Sequence, residues 1–388
     1  MRKFFVVGFI LLLGIGFPFT KKDCSAKELK IQLDTIKQYS VTVDAEFGKY
    51  VGLKKSLSNY FDGNTFHIAS LTKSMDSVYI LQVSKSSTKL KKIKLLQEIR
   101  KSPYYSGEVF LLPNNRFTVL GMSKKPQFGF YNYQGELLAK REAVVNRNGQ
   151  KYRPWGICSN PYIYNNRKLY LPTYNYYQTS EYFDLPVGMQ LDLDKYKVKK
   201  TSNIYFPSNY KDHYYYDSHF FFYSCDQKEN PICSFAYNDS VFVFPNKGKS
   251  KKAYYAGSSL KHEFIEDDKE KLIDRNYVLS LQYKPKYYSF VYDSVSHCYI
   301  RGYLHKVQYS GSTIKKPNLK NRKKSWIILD QDLNLLEELT TDDVNLPFLG
   351  AVYPTQDGLW NITKTQEEDK IIFHFTLLRL RKTESIEL

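Results

Sequence analysis

The stretch that decides the fold is Ser325-Trp-Ile-Ile-Leu-Asp-Gln-Asp-Leu-Asn-Leu-Leu-Glu-Glu-Leu339. Two apolar runs flank a polar segment that contains Asp330, Asp332 and Asn334. Asp and Asn side chains hydrogen-bond their own backbone in tight turns, so the pattern predicts a β-hairpin. Weaker copies of this pattern recur along the chain, which indicates a protein built mainly of short antiparallel strands.

Four of the five intervals between copies are 50 to 59 residues long, and the fifth, of 86 residues, contains the insertion 303–324. Comparable strand positions fall near Ile80, Phe130, Met189, Phe242, Ile328 and Leu378. A spacing of about 50 residues, with up to four strands per copy, is typical of β-propellers. The sequence therefore predicts a six-bladed, all-β propeller with four-stranded antiparallel blades. A β-sandwich or a two-domain β protein is the alternative fold.

The last copy shows only three strands. The extended segment near 41–47 is therefore predicted to supply the fourth strand and to close the ring with an N-terminal strand. Closure would pair sheet edges that otherwise attract other chains. Composition agrees with this fold, because 16% of the 388 residues are aromatic, with 35 Tyr and 25 Phe, and such residues favour strands.

The formal charge is +18, and the lysines are spread from end to end. No helix-turn-helix, zinc-finger or RNA-recognition pattern accompanies them, so the sequence does not indicate nucleic-acid binding. Solubility and a cationic surface account for the charge, and the alternative is a polyanionic partner such as nucleic acid, an acidic glycan or lipid headgroups.

The N-terminus predicts export. Arg2 and Lys3 precede an apolar run over 4–19, as in a signal peptide. The run is shorter than the roughly 20 residues that span a bilayer. An uncleaved membrane anchor is the alternative.

Cleavage after Ala26 would give two parts, a signal peptide over 1–26 and a single propeller domain over 27–388. Cys24 could instead become a lipidated first residue, and membrane association is expected only through such an N-terminal anchor. We expect a periplasmic or cell-surface monomer.

The mature chain would keep four cysteines, namely Cys158, Cys225, Cys233 and Cys298. Cys225 and Cys233 flank the turn signal Asn230-Pro231, which predicts a disulfide between them in an exported protein. Four free thiols are the alternative. No CxxC pattern is present, so a zinc ribbon or a thioredoxin-type site is not indicated.

The sequence contains no GxSxG, HExxH, Walker A or dinucleotide-binding motif. The sequence therefore favours a non-catalytic protein with no cofactor and no metal. The alternative is a carbohydrate-active hydrolase or lyase, because carboxylates from different blades could meet in a central channel. The candidates for that role are Asp184, Asp217, Asp239 and Asp293.

Polar and aromatic residues in the predicted inter-strand segments are the candidate ligand contacts. Exposed Tyr and Trp offer flat contact area with a polar tip, which suits a protein, peptide or glycan ligand. The alternative for the aromatic residues is packing between blades. The candidates are Arg153, Trp155, Tyr174, Tyr176, His213, Tyr214 and His219.

Several passages resemble a known group of proteins. They are the Ile328-Leu329-Asp330 hairpin, Glu338, Gly358-Leu359-Trp360, the final strand 373–378, Tyr299-Ile300-Arg301, and the passage 234–239. Together they are similar to secreted six-bladed propeller proteins of Bacteroidota, the domain-of-unknown-function family 4221, over roughly 40–380. The resemblance implies export and a propeller, and it supplies no catalytic residues. Its members often carry a lipobox, from which Lys22-Asp23 before Cys24 departs.

Overall fold

The fold was analysed in a computed structural model of the chain. It describes residues 29–44, 58–63, 65–72, 74–84, 87–96, 107–121, 126–143, 145–147, 150–154, 164–165, 168–174, 187–201, 204–212, 221–226, 228, 230–245, 251–260, 263–264, 266–268, 271, 283–307, 322–342, 344–367 and 370–384. Six antiparallel sheets follow one another along the chain, and we number them as blades 1 to 6.

The strands of the first half are β1 (Leu29–Asp44); β2 (Ser58–Phe61), β3 (Phe66–Leu71), β4 (Ser77–Val83) and β5 (Thr88–Lys94) in blade 1; β6 (Glu108–Leu112), β7 (Arg116–Gly121), β8 (Gln127–Asn132) and β9 (Leu137–Glu142) in blade 2; and β10 (Val145–Arg147), β11 (Gln150–Pro154), β12 (Tyr164–Asn165), β13 (Lys168–Tyr174), β14 (Gly188–Asp192) and β15 (Lys197–Thr201) in blade 3.

After the short helix α1 (Asn209–Asp212), the strands are β16 (Phe221–Cys225), β17 (Pro231–Phe235), β18 (Ser240–Val243) and β19 (Lys252–Tyr255) in blade 4; β20 (Lys286–Asp293), β21 (Cys298–Leu304), β22 (Lys324–Leu329) and β23 (Leu335–Thr340) in blade 5; and β24 (Val352–Thr355), β25 (Gly358–Gln366) and β26 (Lys370–Glu384) in blade 6. A 3-10 turn, Leu349–Ala351, precedes β24.

The predicted six-bladed propeller is confirmed. Five sheets have four strands, as expected, whereas the third has six because the β10–β11 hairpin and the short β12 are both added to β13. Each blade is too small to bury its own apolar faces, so neighbouring blades must cover them. Six buried apolar clusters do this, and each cluster joins two successive blades.

The ring closes between blade 6 and blade 1. Phe66 and Leu81 of blade 1 are buried in one cluster with Trp360 and Phe375 of blade 6. The Phe66 and Trp360 rings meet edge to face, with their centroids 5.4 Å apart. Because a cluster also joins the last blade to the first, the β-sandwich and two-domain alternatives do not apply.

An N-terminal strand completes blade 6, as predicted, but it begins earlier than the expected segment near 41–47. Strand β1 pairs with β26 from Leu29 to Asp44. Residues 29–34 of β1 pair with 379–384 of β26, past the last residue of β26 that pairs with β25. This part of the sheet is therefore a two-stranded extension. Its apolar face lies against blade 5, because Ile31 is buried in the cluster that contains Trp326.

The hairpin predicted at 325–339 is also confirmed. In its turn, one Asp330 carboxylate oxygen accepts hydrogen bonds from the backbone N–H groups of Asp332, at 2.9 Å, and Asn334, at 2.8 Å. The segment 89–96 could have formed either a helix or a strand from its apolar spacing. Its residues lie mainly in strand β5.

The two faces of the ring differ in their connections. Strands alternate in direction within a blade, so successive connections lie on opposite faces. On the tight-turn face, first and second or third and fourth strands are joined by short segments such as 113–115, 294–297 and 330–334. The crossover face is where the connections between second and third strands, or between successive blades, begin and end. The longest of these connections span 175–187, 202–220, 256–285 and 305–323.

Among the described residues, no helix has the length and apolar character needed to cross a membrane.

Candidate functional site

A buried arginine fixes the crossover face between blades 4 and 5. Arg301 of β21 is fully buried and reaches across to blade 4. Its five N–H donors are all engaged. Nε donates to Ser234 Oγ at 2.8 Å, Nη1 to the carbonyls of Asp239 and Ala256, both at 2.9 Å, and Nη2 to the carbonyls of Phe235, at 3.2 Å, and Asn238. The guanidinium therefore holds the turn after β17 and the end of blade 4 together.

An aromatic ring and a carboxylate complete the surroundings of this cation. The guanidinium carbon lies 3.3 Å from the ring centroid of Tyr287, the second residue of β20. The Tyr287 hydroxyl donates to Asp239 Oδ1 at 2.7 Å. Burial raises the pKa of Tyr287 well above its ordinary value, so the hydroxyl stays a donor. Asp239 thus supplies the opposite charge, through Tyr287, that a buried arginine requires.

Glu338 of β23 anchors the crossover that leads from blade 4 to blade 5. Its carboxylate accepts hydrogen bonds from Ser258 Oγ at 2.5 Å, from the Ser259 N–H at 2.7 Å and from Ser259 Oγ at 2.7 Å. Burial alone would raise the pKa of Glu338, but these bonds and one from Ser325 lower it overall. We call Arg301, Tyr287, Asp239, Ser258 and Glu338 the blade 4–5 clamp.

The described ends of the connection 305–323 lie beside the clamp. The His305 ring Nε2 lies 2.7 Å from Ser325 Oγ, and Arg322 Nε donates to the His305 carbonyl at 2.6 Å. Arg322 also donates to the carbonyls of Tyr283, at 3.1 Å, and Lys284. Arg322 therefore joins the two ends of the connection 305–323 to each other and to the end of the connection 256–285.

The chemistry of this region is structural. His305 is 3% exposed and Ser325 is fully buried, so their contact offers no accessible nucleophile. The donors of Arg301 are saturated by protein groups. Within the described residues, no group of three or more His, Cys, Asp or Glu side chains is placed to hold a metal.

The clamp unites passages that are far apart in the sequence. Two of the passages that carried the family resemblance, 299–301 and 234–239, meet here together with Glu338. Sequence reasoning did not assign them this role. The available signal was Arg301 itself, a lone charge in the otherwise uncharged strand Cys298–Leu304.

Two of the predicted ligand contacts are brought together. Arg153 of β11 and Tyr174 of β13 are direct cross-strand partners. They lie at the end of blade 3 where β13 ends and β14 begins, which is on the crossover face. The other candidates, Trp155, Tyr176, His213, Tyr214 and His219, lie outside the described residues.

The proposed channel carboxylates do not all converge. Asp239 lies beside Tyr287 on the crossover face. Asp293 lies six residues after Tyr287, at the other end of β20. There it caps a tight turn and accepts hydrogen bonds from the Val295 N–H at 3.1 Å and from Ser296 Oγ at 2.6 Å. Six residues of strand span about 20 Å. Glycosidase carboxyls stand roughly 5–10 Å apart. This pair is therefore excluded, while Asp184 and Asp217 lie outside the described residues.

The expected disulfide is not formed, because Cys225 and Cys233 are both free thiols. In the β16–β17 pair, Cys225 stands opposite Pro231 and Cys233 opposite Tyr223, so the two cysteines are diagonal neighbours. Diagonal partners are about 7–8 Å apart, beyond the roughly 4.4–6.8 Å that a disulfide bridges. Cys298 is also free, and Cys24 and Cys158 lie outside the described residues.

Solved structures similar to this one include a member of the domain-of-unknown-function family 4221 from Bacteroides vulgatus. It covers 92% of this chain and 100% of its own, with a TM-score of 0.65 and 16% sequence identity. The resemblance predicted from the sequence is thereby confirmed for the fold, the six-bladed propeller. Virginiamycin B lyase from Staphylococcus aureus covers 89% of this chain and 99% of its own, with a TM-score of 0.38 and 10% identity, too distant to bear on function. No family model matches the sequence, and no curated protein is significantly similar to it.

Proposed function

We propose that this chain is an exported, envelope-associated propeller that binds a protein, peptide or glycan through its crossover face and catalyses no reaction. The main support is the asymmetry of the two faces. One face has tight turns, and the longest connections between the described strands, those across 175–187, 202–220, 256–285 and 305–323, begin and end at the other face. Binding residues commonly sit on such connections when a rigid scaffold positions them.

The blade 4–5 clamp and Arg322 support a binding role because they restrain the described ends of two of these connections. Glu338 binds Ser258 and Ser259 at the start of the connection 256–285. Arg322 binds Tyr283 at the end of that connection and His305 at the start of the connection 305–323. Ordering loops before the ligand arrives lowers the entropy cost of binding. A clamp of this kind is what a preformed binding face requires.

The chemistry of the proposed contacts comes from blade 3. Arg153 and Tyr174 are adjacent on the crossover face. Arg donates in a planar fork, and Tyr adds contact area with a polar tip, so both are frequent energetic centres of binding surfaces. Trp155 and Tyr176 follow these two residues closely in sequence, and we propose that they belong to the same surface.

A glycan and peptide array on the exported protein tests this proposal. For any ligand found, Arg153→Ala and Trp155→Ala should each weaken binding at least about tenfold, since such central residues contribute ~1.4 kcal/mol or more. Lys195→Ala and Gln331→Ala are the controls, since these exposed residues lie in turns of the tight-turn face. If the control variants lost as much affinity as the Arg153 and Trp155 variants, or if the latter lost none, the binding surface would lie elsewhere.

The export part of the proposal has a separate test. Intact mass of the protein recovered from the producing cells should show an N-terminus at Lys27 or a lipidated Cys24. An unprocessed Met1 in the recovered protein would contradict export through a cleaved signal peptide.

A further inference from the structure

The outer strand of blade 1 forms a basic ridge. Residues 88–96 read Thr-Lys-Leu-Lys-Lys-Ile-Lys-Leu-Leu and contain four lysines and no acidic residue. Among the described strands, β5 lies at the edge of its sheet and pairs with β4. Lys89, Lys92 and Lys94 are exposed. Lys89, Lys91 and Lys94 form no ion pair with any residue in the described part of the chain.

Aromatic rings support two of these ammonium groups. Lys91 Nζ lies 5.9 Å from the ring centroid of Tyr133 in blade 2, and Lys92 Nζ lies 5.3 Å from that of Tyr79 in blade 1. The two residues alternate along the strand, so they face opposite sides of the blade. The positive charge is therefore presented on both sides of the edge.

Exposed leucines accompany the lysines. Leu90 is 41% exposed and Leu96 is 65% exposed. The Leu96 N–H donates to the Gly135 carbonyl, which places the outer strand of blade 2 alongside. That strand adds Leu138, also 41% exposed. A soluble polyanion would use only the charges, whereas a lipid surface uses charge and apolar side chains together.

The outer strands of the other blades differ from this ridge. Strand β15 of blade 3 is also basic, but no exposed leucine lies among its described residues, and β19 of blade 4 combines Lys252 with an exposed Tyr255 instead. Strand β9 mixes Lys140 and Arg141 with Glu142, and β23 of blade 5 is acidic at Glu337 and Glu338. Part of β1 lies over β23, where Leu33 packs in the same cluster as Leu339. Lysines also protect sheet edges from pairing with other chains, but edge protection does not require exposed leucines. Blade 1 is therefore set apart by its combination of lysine and leucine.

We propose that the basic ridge, residues 88–96 together with Leu138, docks the propeller edge-on to a membrane surface rich in anionic lipid. The lysines lie among the lipid headgroups, and Leu90 and Leu96 enter the boundary between headgroups and acyl chains. This contact is independent of any lipid at Cys24, and it leaves blades 3 to 5 of the crossover face free for their own ligand.

Vesicle co-sedimentation tests the proposal. Protein from the exporting cells is used in every sample, so the N-terminus is the same throughout. It should bind vesicles containing phosphatidylglycerol far more strongly than vesicles of phosphatidylcholine alone. A lysine near an anionic surface strengthens binding about fivefold, so replacing all four ridge lysines with Gln should weaken binding at least ~50-fold.

The matched control removes the same charge from other blades. Lys30, Lys197, Lys251 and Lys252 are exposed on or beside the outer strands of blades 6, 3 and 4. Replacing all four of these lysines with Gln should weaken vesicle binding less than ~5-fold, since at most one of them would lie near the membrane surface. Similar losses in both variants would show that only net charge matters and would overturn the proposal.

A leucine variant separates lipid from a soluble polyanion. Leu90→Ser with Leu96→Ser should weaken vesicle binding and leave binding to dextran sulfate unchanged. Unchanged vesicle binding in this variant, or binding to dextran sulfate without binding to vesicles, would overturn the lipid assignment. Both leucines are exposed, so the variant should unfold at the wild-type temperature, which circular dichroism checks.

Discussion

Removing the Arg301 side chain should strongly destabilise the propeller. Arg301→Ala removes one donor from each of four carbonyls and from the Ser234 hydroxyl, and the guanidinium that is lost is fully buried. At ~1 kcal/mol for each lost hydrogen bond, the free energy of unfolding should fall by about 5 kcal/mol. Breaking a buried charge arrangement by removing one member costs roughly 3–5 kcal/mol, which agrees.

The conservative variant refines this prediction. Lysine keeps the charge but has three donors on one nitrogen, so Arg301→Lys loses at least two of the five bonds. We expect a loss of about 2 kcal/mol. Arg116→Ala is the matched control, since Arg116 also bridges two blades, but it is only half-buried and its bonds to Pro113 and Leu193 are both 3.3 Å long. Its loss should stay below ~1 kcal/mol.

Urea unfolding followed by tryptophan fluorescence measures these differences. Trp326 is fully buried in the same blade as Arg301 and reports on its unfolding. The reasoning is refuted if Arg301→Ala loses no more than Arg116→Ala, because the five bonds would then contribute nothing net. It is also refuted if Arg301→Lys is as unstable as Arg301→Ala.

Three further predictions concern other parts of the chain. Glu338→Gln should be less stable than wild type at neutral pH. A carboxylate with a lowered pKa stabilises the folded state only while it is ionised, so the difference in stability should shrink as pH falls below about 4.3. Unfolding experiments at several pH values measure this difference. Gly135→Ala should lower the free energy of unfolding by at least ~2 kcal/mol, because φ is +85° and the new methyl would meet a backbone carbonyl of blade 1. The control Gln134→Ala, in the same turn, should change the stability little, and thermal unfolding compares the two variants. Iodoacetamide should label the half-buried Cys225 faster than Cys233, whose thiol pKa is raised by burial, and both should be labelled without reductant once unfolded; protection of both would indicate a disulfide.

Local pattern was enough for the blades but not for their connections. The hairpin at 325–339 could be predicted because a turn and its flanking apolar runs are written in adjacent residues. The extra strands of blade 3 could not, because β11 and β12 are short and share the edge of one strand, β13. The alternation in 27–46 predicts an extended segment, but the place of 29–34 in the closing strand was missed, since it is fixed by pairing with the far end of the chain.

The candidate site shows the same division. Sequence reasoning pointed to Arg153 and Tyr174 separately, and the structure made them neighbours. The disulfide was inferred from a turn signal, but the register placed Cys225 and Cys233 on a diagonal. Strand register is a property of two paired segments, so one segment cannot reveal it.

The sequence by itself determined that this protein consists of six small antiparallel sheets, because strand periodicity and turn chemistry are local. Only the tertiary structure decided which residues from different blades meet, as Arg301 does with the turn after β17 and as Asp239 and Asp293 do not. The physical reason is that a blade buries its faces only against its neighbours. The polar groups trapped between blades therefore find partners that no single segment contains.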